Sequence, residues 1–241
     1  CSSFGKCGSC VLYEMEYSEQ VEMKKNRVLE MFSQFEIPEL DVIFGKESHF
    51  RGRAEFRIWH DGEKSYYGMF GLKERRIVTI EECNIVDKSI SNIMKPFLDE
   101  IVKNSFLRNK LYAVEFLSNS KGELIITLIY HKKWDEEEIK PYVLELKQKF
   151  PNTDYVVRRK GKKVFIDKNY LIEEVKIKDK IYKYKQVEAT FTQPNRDIAT
   201  KMVEWVIDNS KNLNGDLVEL YCGNGNFTIP LAQNFRKVIA T

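Results

Sequence analysis

The sequence predicts an α+β central domain over residues 45–185, followed over residues 186–241 by the opening of a parallel, doubly wound α/β unit. Three observations predict it. From Phe50 onward, charged and apolar residues alternate in short runs separated by turn residues, the pattern of half-buried strands. Between those runs lie stretches with helical period, which makes the region α+β rather than all-β. Near the end, an apolar strand runs into Cys222-Gly223-Asn224-Gly225-Asn226 and then into a helix, the strand–turn–helix order of a βαβ unit.

The elements follow in order. Residues 1–44 combine a Gly/Ser-rich loop carrying Cys1, Cys7 and Cys10 with an amphipathic helix from Tyr17 to Phe35, stopped before Pro38. Phe50 to Trp59 is a strand, His60-Asp61-Gly62-Glu63 a turn, and Tyr66 to Phe70 and Arg76 to Ile80 continue an antiparallel sheet. Asp87 to Lys103 is helical. Leu111 to Leu117 and Glu123 to Tyr130 form a second hairpin, and Glu136 to Phe150 is a helix containing Pro141. Tyr155 to Val157 and Val164 to Ile166 form a third hairpin over the basic tip Arg158-Arg159-Lys160-Gly161-Lys162-Lys163. Pro194 to Asn209 is a helix with Pro194 in its first turn, Leu217 to Tyr221 a buried-type strand, and Lys237 to Thr241 its parallel neighbour after a helix from Phe227. Two strands are too few for a parallel sheet, so the sequence reads as cut inside that unit, and Cys1 without an apolar leader reads as a cut at the other end.

Composition excludes several classes. With 43% hydrophobic and 31% charged residues, and 18 Gly plus Pro in 241, the chain is neither disordered nor low in complexity. The longest apolar run, Leu124 to Tyr130, is too short to cross a bilayer, so no membrane partner is expected. Net charge is only +3, so any polyanion must be recognised by local charge. Five cysteines without a secretion signal indicate a reducing, cytoplasmic setting.

Three constellations carry chemistry. The first is the glycine loop, where backbone N–H groups and a helix N-terminus face a ligand at the carboxyl edge of the sheet. A dinucleotide fingerprint would need a third glycine at position 228, which is Thr228. With Glu219 at the strand end, the spacing E-x3-G-x-G is closer to the first motif of S-adenosylmethionine (SAM) methyltransferases. The second is C-x5-C-x2-C at Cys1, Cys7 and Cys10 with Cys83 remote, four soft ligands suited to a 4Fe–4S cluster, with zinc as the alternative; Cys222 reads as packing. The third is basic and aromatic. Residues 155–185 hold 11 Lys/Arg against 4 Asp/Glu, and Arg51, Arg53 and Arg57 alternate so as to share one strand face. Tyr66, Tyr67, Phe70, Tyr112 and Trp59 are candidate stacking surfaces for unpaired bases, and His60 and His131 candidate phosphate contacts, although a hydrogen-bonded surface histidine is the simpler reading.

The runs Ala54-Glu55-Phe56-Arg57-Ile58-Trp59-His60-Asp61-Gly62, Tyr130-His131-Lys132-Lys133, Phe191-Thr192-Gln193-Pro194-Asn195 and Glu219-Leu220-Tyr221-Cys222-Gly223-Asn224-Gly225-Asn226-Phe227 together resemble the tRNA (uracil-5-)-methyltransferase branch of the RNA 5-methyluridine methyltransferases, from about residue 15 onward. The resemblance implies a Rossmann-like SAM-dependent methyltransferase domain, here incomplete, that forms 5-methyluridine at tRNA position 54 in the T loop. It implies that Gln193, Tyr221, Asn226 and the backbone of Gly223 hold SAM, with Glu219 beside them. It also implies that Arg57 and Tyr112 face the RNA; the charge pattern and strand positions add Arg51, His131, Arg158, Arg159, Lys162 and Lys163 as candidate contacts. The cysteine pattern is instead similar to the 4Fe–4S ligand set of the ribosomal-RNA branch, so 23S rRNA, or tmRNA, is an alternative substrate. In this family a thiolate adds at uracil C6 to make C5 nucleophilic, and a base later removes the C5 proton. Both groups belong to a part of the family's catalytic domain beyond residue 241, so the chain alone is expected to be inactive.

A monomer is expected. A competing class, a non-catalytic metal-containing RNA-binding module, uses the same cysteines and basic hairpin but leaves the Gln193 and Glu219–Phe227 runs unexplained. A dinucleotide oxidoreductase is disfavoured by Thr228.

Overall fold

The computed structural model describes residues 1–72 and 76–241; the start of the expected Arg76–Ile80 strand lies at the edge of the undescribed part. A loop of turns leads into α1 (Tyr17–Met31), which ends four residues before the expected Phe35. No residue of α1 is buried, and Met23, Val28, Leu29 and Met31 stay exposed. Most helical stability comes from packing of an apolar face, so a helix without it stops early.

β1 (Arg53–Asp61) and β2 (Lys64–Phe70) form a hairpin whose two-residue turn places Gly62 at φ +54°, a left-handed conformation that glycine adopts without cost. β3 (Ile77–Ile80) pairs with β2. α2 (Lys88–Lys103) is capped by Asp87, whose carboxylate accepts from Ser89 N, and buries Ile90, Met94, Phe97, Leu98 and Ile101, one stripe at helical spacing. After the short α3 (Ser105–Arg108) come β4 (Leu111–Ser118), β5 (Leu124–Tyr130), α4 (Glu136–Lys149), β6 (Thr153–Arg159) and β7 (Lys162–Phe165). α4 begins where expected, its acidic first turn Glu136–Glu138 favouring the helix N-terminus.

These seven strands make one sheet in the order β3-β2-β1-β4-β5-β6-β7. It is mixed rather than antiparallel, because β5 and β6 run parallel; the 14-residue α4 supplies the crossover that a parallel pair requires. One face packs on α2 and α4 through an aromatic core in which Phe97 meets Phe116 edge to face, with centroids 6.2 Å apart.

The third hairpin also departs from expectation. Its loop is only Lys160-Gly161, with Gly161 at φ +74°, so pairing continues through Arg158↔Lys163 and Arg159↔Lys162. Four of the five cations expected at the loop tip, Arg158, Arg159, Lys162 and Lys163, therefore sit on strands. A further pair that the periodicity did not indicate, β8 (Tyr170–Ile177) and β9 (Lys180–Val187), forms an antiparallel ribbon. Its Leu171 packs with Leu117, Ile125 and Val156 on the sheet face away from the helices. At its far end Ile177 packs with Val203, Ile207 and Leu231.

α5 (Arg196–Ser210) carries the first two of those partners. Pro194 lies outside it, because Asn195 takes the capping position and its Oδ1 accepts from Ile198 N. β10 (Asp216–Glu219), α6 (Thr228–Leu231), a 3-10 turn (Ala232–Asn234) and β11 (Lys237–Ala240) close the chain, with β10 and β11 parallel. β10 was read as buried, yet Val218 is exposed, since among the described residues β11 is the one strand beside it.

Candidate functional site

A cavity of about 460 Å³ lies where β8, β9, α5 and the loop after β10 meet. Gln193, Glu219, Tyr221, Gly223 and Asn226, the five residues expected at a cofactor, all line it. The loop is shaped by three left-handed residues: Tyr221 at φ +60°, Gly223 at +57° and Gly225 at +75°. A Cβ on Gly225 would meet the Ile229 side chain at 3.2 Å, so this glycine allows α6 to approach; Gly223 faces open space. Tyr221 adopts the same conformation without that freedom and stands almost fully exposed at the rim.

Thr228, the residue that breaks the dinucleotide fingerprint, donates its hydroxyl to Glu219 Oε2 and so ties the start of α6 to the end of β10. Cys222 N donates to Thr241 O and Thr241 N to Glu219 O, which holds the loop to the strand pair. The Cys222 thiol donates weakly to the Gly223 carbonyl at 3.9 Å and is only half-buried. Asn226 differs: its side-chain Nδ2 is buried with no hydrogen-bond partner, which orphans a donor on the cavity wall. Its carbonyl accepts from the Tyr184 hydroxyl at 3.4 Å, and burial pushes the Tyr184 phenol up to about 12, so it stays a protonated donor at neutral pH. Tyr184, Glu173 and Arg196 also line this cavity and were not singled out by the sequence. Alternation along Lys180–Val187 could have marked Tyr184 as inward-facing.

On the sheet, Arg57, Tyr112 and His131 form a three-tier stack. The Arg57 guanidinium lies 4.0 Å over the Tyr112 ring, whose centroid is 3.7 Å from that of His131 at 21° between planes. A register shift between Leu111 and Ala113 opens β4 at Tyr112. Trp59 and Phe70 are exposed, but Tyr67 is fully buried, with its hydroxyl donating to Met94 O, so it offers no stacking surface. His60 is also internally bonded, its Nε2 to Leu111 O and its Nδ1 to Ser65 Oγ.

The other basic residues divide. Arg51 precedes β1 instead of sharing its face: its backbone bridges Val86 and Asn195, and its side chain turns to the cysteines. Arg158 pairs with Glu115 at 3.3 Å and Glu188 at 3.2 Å, Lys163 with Glu188 at 2.5 Å, and Arg53 with Glu115 at 2.6 Å. The Glu188 side chain is 1% exposed, so these cations neutralise a buried carboxylate. Burial pushes the Glu115 carboxyl up, opposed by Arg53 and Arg158. Arg159 and Lys162 lie 5.6 and 5.8 Å from the Trp134 ring centroid, and Arg159 also donates to Trp134 O.

Cys1, Cys7, Cys10 and Cys83 line a second cavity, of about 280 Å³. The N-terminal loop is stitched to the end of β2 by Gly8 N to Phe70 O at 2.8 Å and Leu72 N to Lys6 O at 2.9 Å, which sets Cys7 and Cys10 across from Cys83. Gly8 is required there, since a Cβ would stand 2.9 Å from the Phe70 carbonyl oxygen. Burial and the neighbouring Cys83 and Cys7 push the Cys10 thiol up; burial does the same to Cys83. Among the described residues, no three His, Cys, Asp or Glu side chains are close enough together to hold one metal ion.

A family model, tRNA (Uracil-5-)-methyltransferase, matches residues 16–241. The chain belongs to the tRNA (uracil-5-)-methyltransferase family. A curated tRNA/tmRNA (uracil-C(5))-methyltransferase of Nautilia profundicola is 63% identical over 243 aligned positions, covering all of this chain and 66% of the relative. One of the same description from Shewanella loihica is 41% identical over 229 positions, covering 94% of this chain and 62% of the relative. The chain thus spans a little under two thirds of the length of these family members. Among solved structures, the Pyrococcus abyssi tRNA (uracil-54, C5)-methyltransferase in complex with S-adenosyl-L-homocysteine superposes with a TM-score of 0.65 at 17% identity, over 96% of this chain and 58% of the other, a likeness of fold. No helix among the described residues is long and apolar enough to cross a membrane.

Proposed function

We propose that this chain is the RNA-binding and cofactor-binding part of a SAM-dependent enzyme that methylates C5 of uridine 54 in the T loop of tRNA. One observation carries the reading: residues from two segments distant in sequence, Gln193 and the loop from Glu219 to Asn226, converge on one cavity whose wall holds a buried amide donor with no partner. A cavity of this size suits a nucleoside-sized ligand. The names of the curated relatives support tRNA, with tmRNA beside it.

The residues present fit SAM. The amides of Gln193 and Asn226 and the backbone of Gly223 would hold its polar groups, while the Phe191 and Leu220 side chains supply apolar wall. SAM supplies the electrophilic methyl group of a sulfonium. Glu219, held by Thr228, keeps the loop closed beneath it. On the sheet, the pile of Arg57, Tyr112 and His131 offers its outer planes, the Arg57 guanidinium and the His131 ring, to a base that leaves its stack, and Arg57 adds a cation for phosphate. The thiolate and the base that this chemistry needs are assigned to no residue here.

Cys1, Cys7, Cys10 and Cys83 are our candidate ligands for a 4Fe–4S cluster. What supports this reading is that all four line one cavity and that three close thiolates with one remote is a spacing a cluster takes, with zinc as the alternative. Their shared cavity also keeps a 23S rRNA substrate as the second reading, since that branch carries such cysteines.

The deciding experiment is methyl transfer from radiolabelled SAM by the full-length protein to unmodified tRNA, tmRNA and ribosomal RNA, with nuclease mapping. Label in the T loop supports the proposal. Label confined to ribosomal RNA selects the second reading, and SAM-independent RNA binding selects a non-catalytic module.

A further inference from the structure

We propose that Arg196 is a positioning residue, one that holds the Gln193 segment of the cofactor cavity against the RNA-facing sheet so that cofactor affinity depends on the fit between these two parts. This rests on the reading of the cavity as a SAM site. Arg196 is the first residue of α5 and follows Gln193-Pro194-Asn195 directly. Its guanidinium reaches three other parts of the fold. Nη1 donates to Ser118 O at 2.9 Å and to Glu173 Oε2 at 3.0 Å; Nη2 donates to Asp87 Oδ2 at 2.6 Å and Ser118 Oγ at 3.4 Å. Those acceptors belong to the end of β4, to β8 and to the cap of α2. A planar fork of fixed donors can satisfy all three together, whereas a lysine ammonium carries its donors at one point.

The backbone holds the same segment from the other side. Gly52 N donates to Pro194 O at 3.1 Å, and Arg51 bridges Asn195. The guanidinium packs over Gly52, where an added Cβ would stand 3.4 Å from Cζ. Residues 194–196 are therefore fastened by main chain to the entry of β1 and by one side chain to β4, β8 and α2, with Gln193 carried at their end into the cavity.

Arg196 also lines the cavity, so direct contact with the ligand is the competing account, and Asp87 separates the two because it lines none of it. In the full-length protein, R196K should raise the SAM KM about tenfold, at near-normal kcat with saturating SAM and unchanged tRNA KM, as expected when a small misplacement weakens ground and transition states alike. D87N keeps an oxygen for the Ser89 cap but loses the charge that Arg196 uses, and should reproduce the same selective rise. The D87N/R196K double variant should add little to either alone. A normal KM in D87N, or strictly additive effects, overturns the positioning role. So does a loss of thermal stability that moves kcat and both KM values together. Affinity for 5′-methylthioadenosine, which lacks the amino-acid portion of SAM, should fall in R196K as affinity for S-adenosylhomocysteine does; a normal value would assign Arg196 to direct contact and overturn the proposal. If the wild-type protein binds no SAM, the reading of the cavity fails, a result distinct from all of these.

Discussion

The Tyr112 ring is stacked on His131 at 3.7 Å between centroids and covered on its other face by the Arg57 guanidinium at 4.0 Å, so the planes left open to a base under the proposed function are the outer faces of Arg57 and His131. Base–aromatic stacking contributes about 1–3 kcal/mol per base. Tyr112 is the middle plate that holds both outer planes in place, so Tyr112→Ala should weaken tRNA binding by roughly tenfold to a hundredfold, and Tyr112→Phe, which keeps the plate, should retain most of it. Fluorescence anisotropy with a T-arm hairpin checks both, and equal affinities for the Ala variant and the wild type would remove Tyr112 from the interface.

The orphaned amide of Asn226 gives a second expectation. If the ligand takes up that donor, Asn226→Ala should cost about 1 kcal/mol of SAM affinity, read by calorimetry on the full-length protein. Undiminished affinity would count against the residue's role.

Arg158 and Lys163 now predict something different from what a basic loop tip would. Because they neutralise Glu188 inside the structure, Arg158→Gln should destabilise the fold by about 1–3 kcal/mol while altering the salt dependence of RNA binding little. Thermal melts and a salt titration of tRNA binding test the two halves separately. A slope reduced by about one with unchanged stability would return Arg158 to the phosphate-contacting class.

For the cysteines, anaerobically purified wild-type protein should be brown and contain iron. Cys7→Ser or Cys10→Ser should bleach the visible absorbance and lower stability, and a spectrum and iron content identical to the wild type would dismiss the cluster.

Much of this was legible in the sequence, for identifiable reasons. Local signals worked wherever one turn or cap decides the element: Asp61-Gly62 for the first hairpin, Asp87 for α2, Cys222–Asn226 for the turn into α6. They failed where a contact distant in sequence decides. The ribbon β8–β9 was hidden because its lysines read as a charge run, although Leu171 and Ile177 point inward. The parallel pairing of β5 with β6 depends on how α4 packs, which no period reveals. Arg158 carries the same local pattern whether it meets phosphate or Glu188, a partner thirty residues away. The five cavity residues were found through the family resemblance, whereas Arg196 gives no signal, since its three acceptors lie 23 to 109 positions away.

The ribbon sets a scale for the molecule. Leu171 is anchored on the outer face of the sheet and Ile177 beneath α5, so one strand runs from that sheet face to the wall of the proposed cofactor cavity. Six residue steps at about 3.3 Å make that strand a ruler roughly 20 Å long. Its length is counted in backbone units that β9 keeps extended, so substitutions along it can soften the grip at either end but leave the count unchanged. An insertion or deletion would shift the sheet face relative to the proposed cofactor cavity, whereas a substitution would not.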